Sequence, residues 1–409
     1  MTSPWIEVPV SRRGALIAAA APLALLAGCA DNAPDADGSA AGSTAAQDAA
    51  GATAAPAFRD TDLGCGWEPV GALELEHART FTVDYFDGGF ALICAASEER
   101  FLVVPDGASA PDGLAEDIAV IAQPADDVYL VSTGMICVLD ELDALDAVRV
   151  ASVTPETSPN GHLTQLIEDG DVVYGGRYRD PDFELVAQAG CTLAIENTQI
   201  HRYPEVKQKL EDLGVTVFTE QSSTEDDVLG RLEWMKLMGV IFGREDAASA
   251  RFDEVEERVA AIAHQEPTGK TVAFFYIDSD GAAVVRRAGD YFAQMIELAG
   301  GESLSFGTGD GDASSTTYIT VEMEEFFASA KDADVIIYNA TVDEGVGSLA
   351  DLTAKNALIS EFAAVATGEV YTCDSNLYQQ MTSTDRIIED LRSALLGASG
   401  ENGFIWKLG

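Results

Sequence analysis

Residues Asp246–His264 read DAASARFDEVEERVAAIAH, and this stretch separates two series of strands and helices. Its apolar side chains recur at steps of three and four residues, which predicts one apolar face of an α-helix: Ala248, Phe252, Val255, Val259 and Ile262. At about 1.5 Å per residue the helix is on the order of 30 Å long, and Pro267-Thr268-Gly269 ends it. A helix of this length can brace two halves of a molecule against each other.

Alternating strands and helices lie on both sides of this helix. Before it, the pattern predicts strands at 128–131, 148–151, 172–174, 193–195 and 215–218, and helices at 135–145, 181–189, 203–213 and 228–243. After it, the pattern predicts strands at 271–277, 335–338 and 370–371, and helices at 291–299, 357–366 and 384–396. Such alternation is typical of mainly parallel sheets covered by helices. We therefore predict an α/β fold with two Rossmann-like lobes, residues 126–245 and 267–409, joined by a single rigid linking helix within 246–266.

The region before the first lobe, residues 59–125, has a different pattern. Runs rich in β-branched and aromatic residues occur at 80–86, 90–94 and 100–105, and Asp87-Gly88-Gly89 between the first two is a hairpin signal. We predict a small antiparallel β-rich extension. Two positions stay open for it: beside the first lobe, or across part of a ligand cleft between the lobes.

The first 58 residues indicate where in the cell the protein is located. Arg12 and Arg13 precede an apolar run, Ala15–Ala27, that is shorter than the roughly 20 residues of a membrane-spanning helix. The run ends in Leu26-Ala27-Gly28-Cys29, which resembles a bacterial lipobox. That resemblance implies a signal peptide of residues 1–28 and a lipid on the Cys29 sulfur. Residues 29–58 are dominated by small and polar residues, which predicts a disordered tether.

Composition excludes several classes of function. Sixty-nine acidic residues against 24 basic ones give a formal net charge of −45, which repels nucleic acid. Beyond Cys29, five cysteines stand singly, several in apolar runs, and are predicted to be core residues: Cys65, Cys94, Cys137, Cys191 and Cys373. No nucleophile elbow, phosphate loop or zinc-helix motif occurs, so we predict no enzymatic activity, no cofactor and no resident metal.

From about Val128 to Leu396 the chain resembles the extracytoplasmic binding proteins of ATP-driven importers for ferric siderophores, haem and cobalamin. Segments in the family's order carry the resemblance: 128–146, 174–185, 191–195, 210–217, 238–245, 298–301 and 333–337. The resemblance implies a substrate-binding lipoprotein with a cleft between its lobes that closes only modestly. It implies a chelated iron ligand, in the order ferric siderophore, haem, cobalamin, and a monomer.

Ligands of two-lobed proteins lie at the carboxyl ends of the strands, where loops are free to vary. The candidates from these loops in the first lobe are Ser132, Thr133, Met135, Arg177, Tyr178, Glu196 and Asn197. In the second lobe they are Tyr276, Arg286, Arg287, Tyr291, Asn339 and Tyr378.

Adjacent arginines at 286 and 287 are conspicuous in so acidic a chain. One interpretation is an anion clamp, because guanidinium groups pair with carboxylates or phenolates while neighbouring tyrosines stack on the ligand. The other is neutralisation of nearby carboxylates such as Asp278, Asp280 and Asp290. The sequence leaves both open.

The resemblance also implies partners. An ABC permease and its ATPase would receive the ligand, and one acidic residue on each lobe would dock to permease arginines; the matching positions are Glu205 and Glu344. The protein would be extracytoplasmic and lipid-anchored to the cell membrane. Residues Ser11–Ile17 are similar to a twin-arginine signal, so that export route stays open beside the general one.

Two other functions stay open at this point. A direct zinc or manganese carrier needs several histidines in the cleft, and the chain has His77, His162, His201 and His264. A surface adhesin without a transport role would leave the cleft unexplained.

Overall fold

The computed structural model describes residues 58–96, 98–304, 306 and 318–409. The predicted signal peptide, Cys29 and nearly all of the predicted tether lie outside these residues. No helix in the described ranges has both the length and the apolar composition that crossing a membrane requires.

The β-rich extension is a five-stranded sheet in the order β1-β2-β3-β4-β5. Its strands are β1 Gly71–Ala72, β2 Phe81–Phe86, β3 Phe90–Ala95, β4 Arg100–Val104 and β5 Ile118–Ala122. The predicted hairpin and the three central strands are confirmed. The prediction of a purely antiparallel element was wrong, because β5 pairs parallel to β4. This pairing joins residues on either side of the connection at 105–117, so local sequence could not reveal it.

The first lobe contains a parallel sheet in the order β12-β11-β6-β7-β8. Its strands are β6 Val128–Leu130, β7 Val148–Ala151, β8 Val173–Tyr174, β11 Leu193–Glu196 and β12 Thr216–Thr219. A short hairpin, β9 Gly176–Arg177 with β10 Asp180–Pro181, follows β8. The helices are α1 Gly134–Glu141, α2 Gly161–Asp169, α3 Phe183–Gln188, α4 Pro204–Asp212 and α5 Val228–Phe242. Helix α2 escaped the sequence analysis; Asn160 caps it by accepting a hydrogen bond from Leu163 N.

The second lobe has a mixed sheet rather than a fully parallel one. Its strands are β13 Thr271–Ile277, β14 Ala283–Arg286, β15 Glu302–Ser303, β16 Tyr318–Val321, β17 Val335–Tyr338, β18 Val370–Cys373 and β19 Ile405–Lys407. Strands β13, β15, β17 and β18 pair in parallel, whereas β14, β16 and β19 pair antiparallel. The helices are α7 Tyr291–Leu298, α8 Met323–Ala330, α9 Leu349–Lys355, α10 Ala363–Thr367 and α11 Thr384–Leu395.

One predicted helix of the second lobe is broken. Residues 357–366 form a 3₁₀ turn, Ala357–Glu361, and then α10. Phe362 between them has an extended backbone (φ −72°, ψ 142°) and a buried side chain. Packing of this ring in the second lobe's core therefore prevails over the helical spacing of the local sequence.

The linking helix is α6, Glu245–Ala263, one residue offset from its prediction. Gly243 (φ +64°) ends α5 in a left-handed conformation, and the chain turns back so that α6 packs against α5. At their crossing a Cβ on Gly239 would lie 2.7 Å from the Ala248 Cβ, so only glycine permits this approach. Arg251 of α6 reaches both lobes, because its Nη2 donates to Thr382 O at 2.9 Å and its Nε lies 3.0 Å from Glu141 Oε1.

A continuous core joins the extension, both lobes and the linking helix. One apolar cluster includes Phe81 of the extension, Trp234 of α5, Phe252 of α6 and Ile387 of α11. Cys94, Cys137, Cys191 and Cys373 are buried free thiols, as predicted, and Cys65 is half-buried. Continuous packing of this kind restricts the lobes to small relative motions.

Two buried glutamates of the first lobe hold the extension in place. Glu233 on α5 accepts hydrogen bonds from the backbone N–H groups of Glu76, His77 and Ala78 at 2.8–3.1 Å. Glu225, just before α5, accepts from Arg79 N and Thr80 N. Of the two positions left open by the sequence, the extension therefore occupies the one beside the first lobe.

Candidate functional site

The carboxyl ends of the parallel strands of the two lobes meet across a short interface. Gln380 of the second lobe donates to Pro159 O of the first at 3.2 Å. A Cβ built on Gly134, at the start of α1, would lie 3.7 Å from the Met381 side chain. The loops after β6, β7 and β18 therefore adjoin this interface.

On the first lobe, a buried carboxylate organises the loop that follows β6. Ser132 Oγ donates to Glu220 Oε1 at 2.8 Å, and Ser222 donates to Glu220 Oε2 through its N and Oγ, at 3.0 and 2.7 Å. Glu220 follows β12 and was missed by the sequence analysis. A glutamate after a strand in a chain with 69 acidic residues gives no distinctive signal.

Other first-lobe candidates have structural contacts. Thr133 precedes α1 without a capping side-chain hydrogen bond, and Met135 is completely buried. Asn197 caps the 3₁₀ turn Thr198–Arg202 by accepting from Gln199 N at 2.9 Å. Arg177 and Tyr178 belong to the β9–β10 hairpin, where the Tyr178 ring meets Tyr203 edge to face at 5.7 Å.

Glu196, the last residue of β11, is completely buried. Neither of its carboxyl oxygens has a hydrogen-bond donor among the described residues. Burial raises the pKa of Glu196 to about 8, so the side chain is mainly a neutral acid at pH 7. Tyr129 Oη and Thr219 Oγ1, on neighbouring strands, are likewise buried without a partner within the described ranges.

On the second lobe, Arg286 lies inside a ring of tyrosines. Its guanidinium carbon is 4.7 Å from the ring centroids of Tyr291 and Tyr378 and 5.0 Å from that of Tyr318. Arg286 ends the antiparallel strand β14, not a loop as predicted, because β14 pairs with both β13 and β16. Tyr291 begins α7, Tyr318 begins β16, and Tyr378 follows β18.

The guanidinium of Arg286 is already neutralised. Its Nε and Nη2 both donate to the carboxylate of Asp290, the second at 2.8 Å, and Nη1 donates to Tyr318 Oη at 3.1 Å. The Arg286 and Asp290 side chains are only 8% and 9% exposed. The neutralising interpretation therefore describes the contacts of Arg286.

The remaining second-lobe candidates adjoin the same ring. Asn339 follows β17, is buried, and donates from Nδ2 to Tyr378 Oη at 3.0 Å. Tyr276 of β13 meets the Tyr318 ring edge to face at 6.0 Å. Burial raises the pKa of Tyr291 to about 12, so its phenol stays protonated at neutral pH. Arg287 is half-buried beside Arg286.

A second arginine, Arg231 on α5, approaches this cluster from the first lobe. Its guanidinium carbon lies 3.9 Å from the Tyr291 ring centroid. Sequence analysis missed it because Arg231 stands within the helical pattern at 228–243, where a single charge is ordinarily a solvent-exposed position.

The two acidic positions matched to permease docking are exposed. Glu205 lies in the first turn of α4, which begins after β11, and Glu344 lies in the loop after β17. Both follow the carboxyl end of a parallel strand.

Comparisons with known proteins agree with this architecture. A family model described as periplasmic binding protein matches residues 128–377. An uncharacterized lipoprotein of Methanocaldococcus jannaschii is 23% identical over 353 residues, which cover 78% of this chain and 81% of that protein. A cobalamin-binding protein of Halobacterium salinarum is 26% identical over 215 residues, 52% of each chain. The crystal structure of a periplasmic binding protein from Veillonella parvula superposes with a TM-score of 0.55 at 20% identity, covering 71% of this chain and 97% of that one.

Proposed function

We propose that this chain, which belongs to the periplasmic binding protein family, captures a metal chelate outside the cytoplasm. It then delivers the chelate to an ABC permease that an ATPase powers. The observation that carries the ligand class is the cluster of Tyr291, Tyr318 and Tyr378 around Arg286, which Asn339 joins to the carboxyl end of β17. Aromatic faces and edges suit a large, flat and partly apolar ligand.

The neutralisation of Arg286 changes the order of ligands that the sequence favours. Ferric siderophores ranked first because an arginine pair would clamp an anionic chelate, but Asp290 already occupies the Arg286 guanidinium. A tetrapyrrole, haem or a corrinoid, fits an aromatic wall better, and the Halobacterium relative is named for cobalamin binding. We therefore place the macrocycles first and ferric siderophores second.

A carrier of a bare zinc or manganese ion is the competing function. Glu76, His77 and Glu256 offer ligand atoms within 4.8 Å of one another. This trio joins the extension to the linking helix. Both ring nitrogens of its histidine already face carboxylates: His77 Nε2 pairs with Glu256 at 2.8 Å, and Nδ1 lies 3.4 Å from Asp227 Oδ1. Because a bare ion would have to displace these pairs, the trio favours a chelate over a bare ion as the ligand.

A thermal-shift panel of haem, cobalamins, ferric siderophores, Zn²⁺ and Mn²⁺ tests the proposal. A ligand at a hundredfold excess over its dissociation constant stabilises the folded state by about 2.7 kcal/mol, which shifts the melting temperature measurably. We expect stabilisation by a macrocycle, with quenching of tyrosine or tryptophan fluorescence. Stabilisation by the free ions alone would refute the chelate proposal.

Delivery to a permease is tested separately through Glu205 and Glu344. Glu205→Lys and Glu344→Lys should lower uptake of the ligand by cells while leaving its affinity for the purified protein unchanged, because the carboxylates would pair with permease arginines. Glu257→Lys, on the exposed face of α6, is the matched control for the change of charge. Equal uptake by all three variants would contradict this role of the two glutamates.

We also propose anchoring through Cys29, because the lipobox pattern precedes it and the Methanocaldococcus relative is named a lipoprotein. The tether of residues 29–58 would then let the body reach its permease. The export route, twin-arginine or general, belongs to the same proposal and is tested by replacing Arg12 and Arg13 with lysine.

A further inference from the structure

Arg231 is the exception in an otherwise buried helix. Fourteen of the fifteen residues of α5 are buried, including the charged Glu233 and Lys236, and Arg231 is the residue that stays partly exposed. The helix α5 lies at the centre of the first lobe's core. The half-exposed side chain of Arg231 therefore marks where this helix reaches the surface of the lobe.

That place is the junction of the two lobes. Val228 N, at the start of α5, donates to Gln294 Oε1 of α7 at 3.2 Å. Gln294 Nε2 donates in turn to Asp226 O and to Gly289 O. The first turns of α5 and α7 are therefore held together, which sets Arg231 of the first lobe against Tyr291 of the second.

The guanidinium of Arg231 has no ion-pair partner among the described residues. Within the described part of the chain, no carboxylate lies within 4.0 Å of its guanidinium nitrogens, and none of its side-chain N–H groups has a hydrogen-bond acceptor. Half-buried Arg149, by contrast, pairs with two aspartates. An unpaired guanidinium stands out in a chain with a formal net charge of −45.

Stacking on the Tyr291 ring determines which part of the Arg231 guanidinium is available to bind a ligand. A guanidinium placed over an aromatic face keeps the N–H groups of its edge free, and this edge matches the two oxygens of a carboxylate or phosphate. Arg286 cannot serve in this way because Asp290 holds its edge.

We propose that Arg231, stacked on Tyr291, is the anion-binding residue of the cleft and determines its specificity by pairing with a carboxylate or phosphate group of the bound chelate. The inference rests on the proposed function. The pairing would join a first-lobe residue to a ligand that lies against second-lobe tyrosines, so the ligand would bridge the lobes.

Paired ligands that differ in this group provide the test. Haem is compared with its dimethyl ester, cobalamin with a corrinoid that lacks the phosphate-bearing nucleotide loop, and a ferric carboxylate siderophore with a neutral ferric trihydroxamate. Affinities are measured by fluorescence quenching for wild type, Arg231→Gln, Arg231→Lys and Arg244→Gln. Arg244 is exposed beyond the other end of α5 and donates to Gly243 O, so its variant controls for the loss of one positive charge.

We expect Arg231→Gln to weaken binding of the anionic member of the recognised pair at least about tenfold, and that of its neutral counterpart much less. Arg231→Lys should lose part of the affinity, since an ammonium cannot form a bidentate pair. Arg244→Gln should bind as wild type does. If Arg231→Gln does not fold, as judged by thermal unfolding, the same criterion applies to Arg231→Lys.

Three other outcomes would contradict the inference about Arg231, the proposed function or both. Unchanged affinity of Arg231→Gln for a ligand that wild type binds overturns the inference alone. Equal losses for both members of the pair also overturn it, because they indicate a structural role. Failure of wild type to bind any chelate overturns the proposed function and the inference with it.

Discussion

Glu196 should make the stability of this protein fall as pH rises, and its replacement should remove that dependence. The side chain is completely buried on β11, and burial alone raises its pKa from an ordinary 4.5 to about 8. A group whose folded-state pKa is raised contributes stability that is fully present below its unfolded pKa. That stability is lost progressively as pH rises through the folded pKa.

The magnitude follows from these values. Each tenfold change in proton affinity corresponds to about 1.4 kcal/mol, so between pH 4 and pH 7 the loss from Glu196 is about 3 kcal/mol. Glu196→Gln keeps the shape and carries no titratable proton, and it should therefore gain about this much over wild type on the same change of pH. Glu196→Met, which removes the buried polar atoms, should show the same trend.

Urea denaturation from pH 4 to pH 8 measures the difference between wild type and each variant, which cancels the titration of all other groups. Glu220→Gln is the matched control, because its buried carboxylate accepts hydrogen bonds from Ser132 and Ser222 and its replacement should destabilise the fold. A difference for Glu196→Gln that is constant with pH would refute the reasoning. So would a carboxyl resonance of Glu196 that titrates near 4.5 in the folded protein.

Four further predictions address the extension, the tyrosine ring and the anchor. Glu233→Ala should lower the free energy of unfolding by about 3 kcal/mol or more, because it strands buried N–H groups of the extension; a loss below about 1 kcal/mol in urea denaturation would contradict the docking role. Arg286→Gln should destabilise more when Asp290 is intact than in an Asp290→Asn background, with a coupling of about 1–3 kcal/mol in a double-mutant cycle; additive effects would show that the pair does not interact. Hydrogen bonds to Asp227 and then to Glu256 raise the pKa of His77 to about 9, so His77 should stabilise the fold fully below pH 6.5 and lose that contribution as pH rises through 9. His77→Gln should flatten the dependence of the unfolding free energy on pH over this window. An unchanged dependence would argue against a charged His77. Cys29→Ala should move the protein from the membrane fraction to the soluble one, and unchanged fractionation would contradict the lipid anchor.

Short-range patterns of apolar residues in the sequence predict much of the fold. The steps of three and four apolar residues in α6 and the apolar runs of β13 and β17 predict those elements almost to the residue. The extension strands flanking Asp87-Gly88-Gly89 are equally legible. These patterns work because each element buries a face whose period its own backbone geometry dictates. The ligand class and the docking positions Glu205 and Glu344, in contrast, rest on the ordered resemblance to a family and not on such patterns.

The candidate site, in contrast, depends on contacts between residues far apart in sequence. The ring around Arg286 combines Tyr291, Tyr318 and Tyr378 from three separate elements, and Asp290 turns the supposed clamp into a buried ion pair. The pKa of Glu196 is raised because folding buries its carboxyl group, and Arg231 is set over the Tyr291 ring because folding brings α5 and α7 together. A residue type fixes which interactions a side chain can make; burial and the neighbours that folding supplies fix which of them it does make.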